Sequence, residues 1–584
     1  MTQPQIALKD VYKQATADQD KAVAPAETIR RVKETFRQLN MDILAETVRI
    51  DNGRLDIPVF FSVCGKDAAR LTGTPKQMGK GATPEQAEAS AIMELVERFS
   101  VYSFAENPEN FIVDTYANVR DKALAFDRIA RSVHDEATAP EVAEQIFAEL
   151  PLKWTWGYDL THNRPILVPF DWFFAINEFN GTSAGNCPEE AICQGICEIV
   201  ERHVSARICR EKTPVPAINP DSPADPVVRE MMAKFQRNGI DLYISDFTMG
   251  MGIPTIGVLA HDPATHPEKS ELVWTAGTTP SPEKALSRAL SETAQLGGDF
   301  NTAANYVASG LPKPKTLAET AFITQPGKQT NISALPDISD HNMKTEIQNC
   351  IAALSQKDMP VIVIPTTHPE LGIPAFYTLI PGAHFRERAK ATSVAMFCGK
   401  LITEKFPAEA AIARLEAIAQ KLPGRYYIHF YLGTCHLASG APEAALACLE
   451  KALHLEPDPQ DIPSIYSYMG VCLKALGAYD KALDVLHQGL QWDTERTDLY
   501  NLMGFCHFKQ GAHEKAIRSF EQVLRLNPNS AIDYANIATN YRELGDIENA
   551  IAYYQIALSI DPAIAFAREN LQQLTGRQEA QEQD

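Results

Sequence analysis

Two stretches of this chain place acidic, amide and guanidinium side chains at the same spacing. KGATPEQAEASAIMELVER runs from Lys80 to Arg98, and AGNCPEEAICQGICEIVER runs from Ala184 to Arg202; laid together without a gap, both end in E-x-x-E-R. At 100° per residue, Ser90, Glu94, Glu97 and Arg98 share one helical stripe, with Ile92, Leu95, Val96 and Phe99 turned away. The second copy sets Glu190, Gln194, Glu198, Glu201 and Arg202 opposite Ile196, Ile199 and Val200. A solvated helix face would interleave lysine, because like charges one turn apart cost a few tenths of a kcal/mol. If the two stripes face one another, their carboxylates stay ionised together only around divalent cations. Oxygen ligands completed by water point to Mg²⁺, and Mg²⁺ points to phosphate. A merely solvated acidic face is the competing reading.

A third helix, SPEKALSRALSE, places Arg288 and Glu292 one turn apart behind a strand; alone, this pair reads equally as a salt bridge. MGKGAT departs from the P-loop template, since Lys80 is followed by glycine and the glycine spacing differs. No G-x-S-x-G, H-E-x-x-H or dinucleotide fingerprint is present. Of eleven cysteines, only Cys187, Cys193 and Cys197 cluster, and they read as reduced core thiols rather than a zinc site.

These side chains need elements to hold them. Thr83 with Pro84 and Gln86 forms a capping-box start for the first acidic helix, and Pro188 opens the second. Strand patterns cover 57–65, 164–170, 255–262, 271–277, 361–365 and 373–380; helical periodicity covers 26–40, 84–103, 188–210, 224–238 and 282–296. Residues 1–402 thus read as one α+β domain and 403–425 as a helical joint. From 426 to 576, Gly433, Gly470, Gly504 and Ala538 recur with spacings of 37, 34 and 34, as do Ala445, Ala482, Ala516 and Ala550. That is the tetratricopeptide period, an all-α solenoid of four repeats with 563–574 as its capping helix. The polar residues 577–584 read as a disordered tail.

The formal charge of −20 argues against a nucleic-acid or anionic-membrane partner while leaving room for a single nucleotide with its metal. With 45% hydrophobic and 22% charged residues, no apolar leader and no membrane-length run, the chain reads as a cytoplasmic globular protein.

KGAT followed by S-x-x-x-E-x-x-E-R, then SAGN followed by E-x-x-x-Q-x-x-x-E-x-x-E-R, then R-x-x-x-E in a late helix, resembles the YcaO family over about residues 15–400. The resemblance implies a fold that binds ATP on repeated helices, with carboxylates holding Mg²⁺. It implies Glu94, Glu97, Glu190, Glu198 and Glu201 as metal-side residues. Ser90, Asn186, Gln194, Arg202 and Arg288 would contact nucleotide, Glu292 would complete the third motif, and Lys80 would meet phosphate. Lys21 and Thr28 match the spacing of a Lys and a Ser that touch nucleotide in a bacterial member. The implied reaction is ATP-dependent activation of a peptide-backbone amide, with no side-chain nucleophile on the enzyme. A side-chain thiol or hydroxyl attacking that amide gives an azoline, sulfide a thioamide and an amine an amidine. Azoline-forming members commonly end in a proline-rich tail, whereas this chain continues into repeats and ends EAQEQD. The expectation is therefore thioamidation, or an accessory role in sulfur modification like ribosomal-protein methylthiolation, with cyclodehydration as the alternative. The expected partners are a protein or peptide client held by the repeats and a sulfur-delivery protein, and a homodimer is compatible. Two readings of another class are an ATP-sensing protein-binding scaffold and a metal-dependent hydrolase.

Overall fold

A computed structural model describes residues 3–14, 21–51, 53–133, 138–301, 313–384, 392–528 and 530–581. The chain divides into two compact units, Met1–Val394 and Ala395–Asp584. The first is α+β and holds three sheets. A three-stranded antiparallel sheet joins Leu44–Arg49, Val59–Cys64 and Lys76–Lys80 in that order. A second sheet runs Val273–Thr278, Thr255–His261, Asp241–Asp246, Ala217–Ile218 and Gln329–Thr330, with only the last pair parallel. The third sheet orders Ile112–Thr115, Pro151–Asp159, Ile362–Pro365, Ala375–Leu379 and Thr182–Ala184, with Arg164–Pro169 paired to Pro151–Asp159.

Long helices cover these sheets on their apolar sides. Helix Pro84–Glu106 opens on the capping box: Thr83 Oγ accepts from Gln86 N–H at 3.3 Å, and Gln86 Oε1 accepts from Thr83 N–H at 3.2 Å. Its Ile92, Leu95, Val96 and Phe99 are buried, as the periodicity requires. Helix Pro188–Glu211 buries Ile192, Ile196, Ile199 and Val200 in a core shared with Phe247, Trp274, Ile347 and Val363. Helix Pro282–Gly297 packs Ala285, Leu286, Ala289 and Leu290 against Ile256, Val258 and Val273. A three-thiol contact lies in the second of these cores. Cys193, Cys197 and Cys350 hydrogen-bond one another, and burial together with their mutual contacts holds all three well above the usual thiol range. They pack as core residues.

The N-terminal segment is tied down by its own backbone. Lys9 N–H donates to Glu189 at 2.6 Å, Met343 N–H to Val11 O at 2.8 Å and Lys13 N–H to His341 O at 3.0 Å; Lys13 Nζ pairs with buried Glu346 at 2.5 Å. Residues 15–20 lie outside the described set. The helices follow the sequence pattern closely, at Pro25–Gln38, Pro226–Arg237 and the three named above.

The second unit is helical throughout. Val394–Lys405 and Ala408–Lys421 precede four helix pairs: Tyr426–Ala438 with Pro442–His454, Ile462–Ala475 with Tyr479–Leu490, Thr497–Lys509 with His513–Leu526, and Ala531–Glu543 with Ile547–Ile560. Gly433 shows why small residues recur: a Cβ there would stand 2.8 Å from Leu449 in the paired helix. One expectation changes at the end of the chain. The final helix runs Ala565–Gln581, into the stretch read as a disordered tail. Past Gly576 that stretch is Arg, Gln, Glu and Ala, residues of high helix propensity with no breaker, so the helix continues.

Candidate nucleotide and metal site

The two acidic helices meet through the strands that precede them. Arg98 donates from Nη1 to Glu97 at 3.0 Å and to Thr182 Oγ at 3.2 Å, and from Nη2 to Glu94 at 3.4 Å; its guanidinium lies 3.9 Å from the centre of the Phe179 ring. Thr182 Oγ has one hydrogen and two acceptors, Glu97 Oε1 at 2.6 Å and Phe179 O at 2.7 Å. Both contacts are satisfied when Glu97 carries a proton. Burial, together with the nearby Glu198 and Glu94, pushes its carboxyl up to about 8 against the pull of Arg98, so the proton is present at neutral pH. An acid held neutral by burial and by neighbouring acids is a place short of positive charge.

In the second copy the same sequence is bonded differently. Glu201 accepts from Thr278 N–H at 3.1 Å and stands 3.8 Å from Arg288 Nε. Arg288 Nη1 donates to Gln194 Oε1 at 2.7 Å. Arg202 reaches Glu198 only at 3.7 Å, and its buried Nε has no hydrogen-bond partner. A buried guanidinium N–H without an acceptor costs a kcal/mol or more, on the order of the usual desolvation penalty, unless an anion completes it. Lys80, at the end of its strand, pairs with Glu292. Burial and the nearby Arg288 and Arg202 depress its ammonium to about 7, with Glu201 and Glu94 opposing. Two side chains thus report unmet charge of opposite sign in one place.

The remaining expected residues line the approach. Thr28 Oγ donates to Asn186 Oδ1 at 2.9 Å, and Asn186 Nδ2 donates to Glu190 Oε1 at 2.9 Å. Glu190 also accepts from Ala22 N–H at 3.2 Å and from Asn186 N–H at 3.3 Å, taking the capping position that Gln86 holds in the first copy. Lys21, Glu190, Gln194, Thr278 and Glu346 line one cleft with Cys193. Ser90 is half-buried on the inner stripe of the first copy. Among the described residues no three acidic, histidine or cysteine side chains stand together as a ready metal cage.

The third helix proves to be a third copy. Residues 84–87, 188–191 and 282–285 read PEQA, PEEA and PEKA, and Glu94, Glu198 and Glu292 fall at one position, without gaps. Ser90, Gln194 and Arg288 share another. The first and third helices press on their own strands at the same level: a Cβ on Gly79 would meet Ala91 N at 2.0 Å, and one on Gly277 would meet the equivalent Ala289 N at 2.7 Å. Contacts between copies run in a ring, from strand residue Lys80 to the third helix, Thr278 to the second and Thr182 to the first.

Residues 78–384 match the family profile described as YcaO cyclodehydratase, ATP- and Mg²⁺-binding. The chain belongs to the YcaO family. ATP and Mg²⁺ are that family's cofactors, and its coarse class is an ATP-dependent enzyme. Tetratricopeptide profiles match residues 408–464 and 495–563. An uncharacterized protein of Methanothermobacter thermautotrophicus is 24% identical over 381 residues, 62% of this chain and 94% of its own length. The ribosomal protein S12 methylthiotransferase accessory factor YcaO of Escherichia coli is 27% identical over 340 residues, 52% of this chain and 56% of that one. A solved heterocyclase, in complex with substrate and cofactor, shares the fold with a TM-score of 0.53 at 23% identity, covering 65% of this chain and 55% of its own. The chain therefore spans little more than half of the heterocyclase and of the E. coli factor. No described helix is long and apolar enough to cross a membrane.

The sequence analysis placed Arg288 and Glu292 in a third motif of the site but did not see their helix as a third copy of the stripe. The recurring P-E-x-A start was the signal for it. Thr182 and Phe179 were also missed, since neither lies on a periodic stripe.

Proposed function

We propose that this chain uses Mg-ATP to activate a backbone amide of a protein or peptide client and to exchange that amide's oxygen for sulfur. One observation carries the nucleotide part: a ring of three helix stripes in which Glu97 lacks positive charge while the buried Arg202 Nε lacks an acceptor. Mg-ATP brings both missing charges, and its terminal phosphoryl group makes the amide oxygen a good leaving group. Glu94, Glu97, Glu198 and Glu201 face the metal; Arg202, Arg288 and Lys80 neutralise phosphate charge, positioning being the main requirement of phosphoryl transfer. Ser90, Asn186 and Gln194 orient the nucleotide by hydrogen bonds. Lys21 and Thr28 close the approach, Glu190 seats the N-terminal segment beside it, and Glu292 fixes Lys80.

The choice of sulfur rests on the likeness to the E. coli accessory factor and on a helical array that suits a macromolecular client. A sulfur-delivery protein is the partner this chemistry requires. Azoline formation is the second reading, favoured by the likeness to a heterocyclase. Mass spectrometry of client proteins from cells with and without this chain separates the two. Oxygen replaced by sulfur supports the proposal, and loss of one water at Cys, Ser or Thr sinks it. ATP turnover that ignores every client would instead favour an ATP-sensing scaffold.

A further inference from the structure

In the first two copies, the position after the shared glutamate by three residues is a second carboxylate, Glu97 or Glu201. Each is bonded to the strand of the next copy, by Thr182 and by the Thr278 N–H. The third copy has Gln295 there. Arg288, Glu292 and Gln295 stand at i, i+4 and i+7, one face of helix Pro282–Gly297. Arg288 on that face reaches Gln194, and Glu292 reaches Lys80, so the face looks into the ring. Gln295 is half-buried and makes no hydrogen bond among the described residues. Its amide N–H groups are available to an acceptor that a ligand brings into the ring.

Charge explains why this member is neutral. Leaving aside Glu190, which is bonded to Ala22 and Asn186, the three stripes carry five carboxylates (Glu94, Glu97, Glu198, Glu201, Glu292) and three guanidinium groups (Arg98, Arg202, Arg288), with Lys80 added from its strand. Glu94 and Glu198 already stand close enough to Glu97 to repel its carboxylate. A sixth carboxylate would raise that repulsion and would face the phosphate with like charge, whereas an amide donates to phosphate without cost in charge.

We propose that Gln295 is a ligand-contacting residue of this site, donating its amide N–H to an oxygen of the Mg-bound polyphosphate and confining the metal-holding carboxylates to the first two copies. The inference rests on the nucleotide reading above. Its test is calorimetric titration of the full chain with ATP at saturating Mg²⁺, beside Glu201→Ala. Gln295→Met, which keeps the volume and loses the donors, weakens ATP about tenfold, the scale of one hydrogen bond to a charged group. Gln295→Glu weakens ATP further and raises the Mg²⁺ concentration needed for half-maximal ATP binding. Wild-type ATP affinity in both folded variants, with Glu201→Ala defective, overturns this assignment and leaves the reading beneath it intact. A wild-type chain that does not bind Mg-ATP removes both.

Discussion

The first and second copies share E-x-x-E-R and differ in what that sequence is bonded to. In the first, Arg98 is spent on its own carboxylates, on Thr182 and on the Phe179 ring. In the second, Arg202 touches Glu198 loosely and keeps a buried Nε without a partner. Identical side chains at identical helix positions are thus engaged differently: Arg98 is saturated by its neighbours, and Arg202 keeps the free N–H that the proposed function gives to phosphate. Motif identity assigns residues to a site, but the neighbours decide the role.

Substitutions sharpen that contrast. The largest effect is expected from Glu201→Ala: at an ATP concentration one hundred times Kd the wild type gains about 2.7 kcal/mol, read as a rise in melting temperature, and the variant gains none. Normal Mg-ATP stabilisation in a folded Glu201→Ala chain would remove the metal assignment. Arg98→Ala comes next, losing about 2 kcal/mol in urea unfolding as its hydrogen bonds to Glu97 and Thr182 and its contact with the Phe179 ring go. Arg202→Ala should show the reverse pattern, with stability within about 1 kcal/mol of wild type and ATP affinity lowered at least about tenfold. Equal losses of stability in the two variants would erase the distinction.

Acid–base behaviour gives a smaller, signed test. Glu97 titrates near 8 when folded and near 4.5 when unfolded, so between those values the folded chain holds the extra proton. Without ligand, stability therefore falls as pH rises through this window, by at most about 1.4 kcal/mol per unit. Lys80 acts oppositely and only above about 7, where the folded chain has already lost the proton that the unfolded chain keeps to 10.5. Glu97→Gln should flatten the slope between pH 5 and 7 in denaturation curves, and an unchanged slope would refute the shift. The smallest effect belongs to Thr182→Val, about 1 kcal/mol in stability from one lost hydroxyl, which Thr182→Ser restores.

The helices were legible because their caps and apolar periods are local. The strand Lys76–Lys80 was not: KQMGK has no β-branched residue, and its place is fixed by pairing to Val59–Cys64 and by the contact of Gly79 on Ala91. Pro151–Asp159, among the longest strands, was passed over because its aromatic alternation is interrupted by a glycine. The site residues followed from the repeated stripe and from the family resemblance. What separates Arg98 from Arg202 could not follow, since Thr182 lies 84 positions from Arg98 in the chain. Glu190 looked like one more metal-side acid on its stripe, yet its oxygens are engaged by Ala22 and Asn186.

The N-terminal segment has a consequence in time. Lys13 finds its partner in Glu346, 333 residues later, so this segment is synthesised long before the helix that holds it. At roughly 5–20 residues per second, Lys13 and its neighbours wait on the order of twenty seconds or more for helix Met343–Ser355 to be made. Until then Ile6 and Leu8, which end packed against the buried core, are without it. A nascent chain of this protein therefore exposes these two apolar side chains to a chaperone until the first unit is complete.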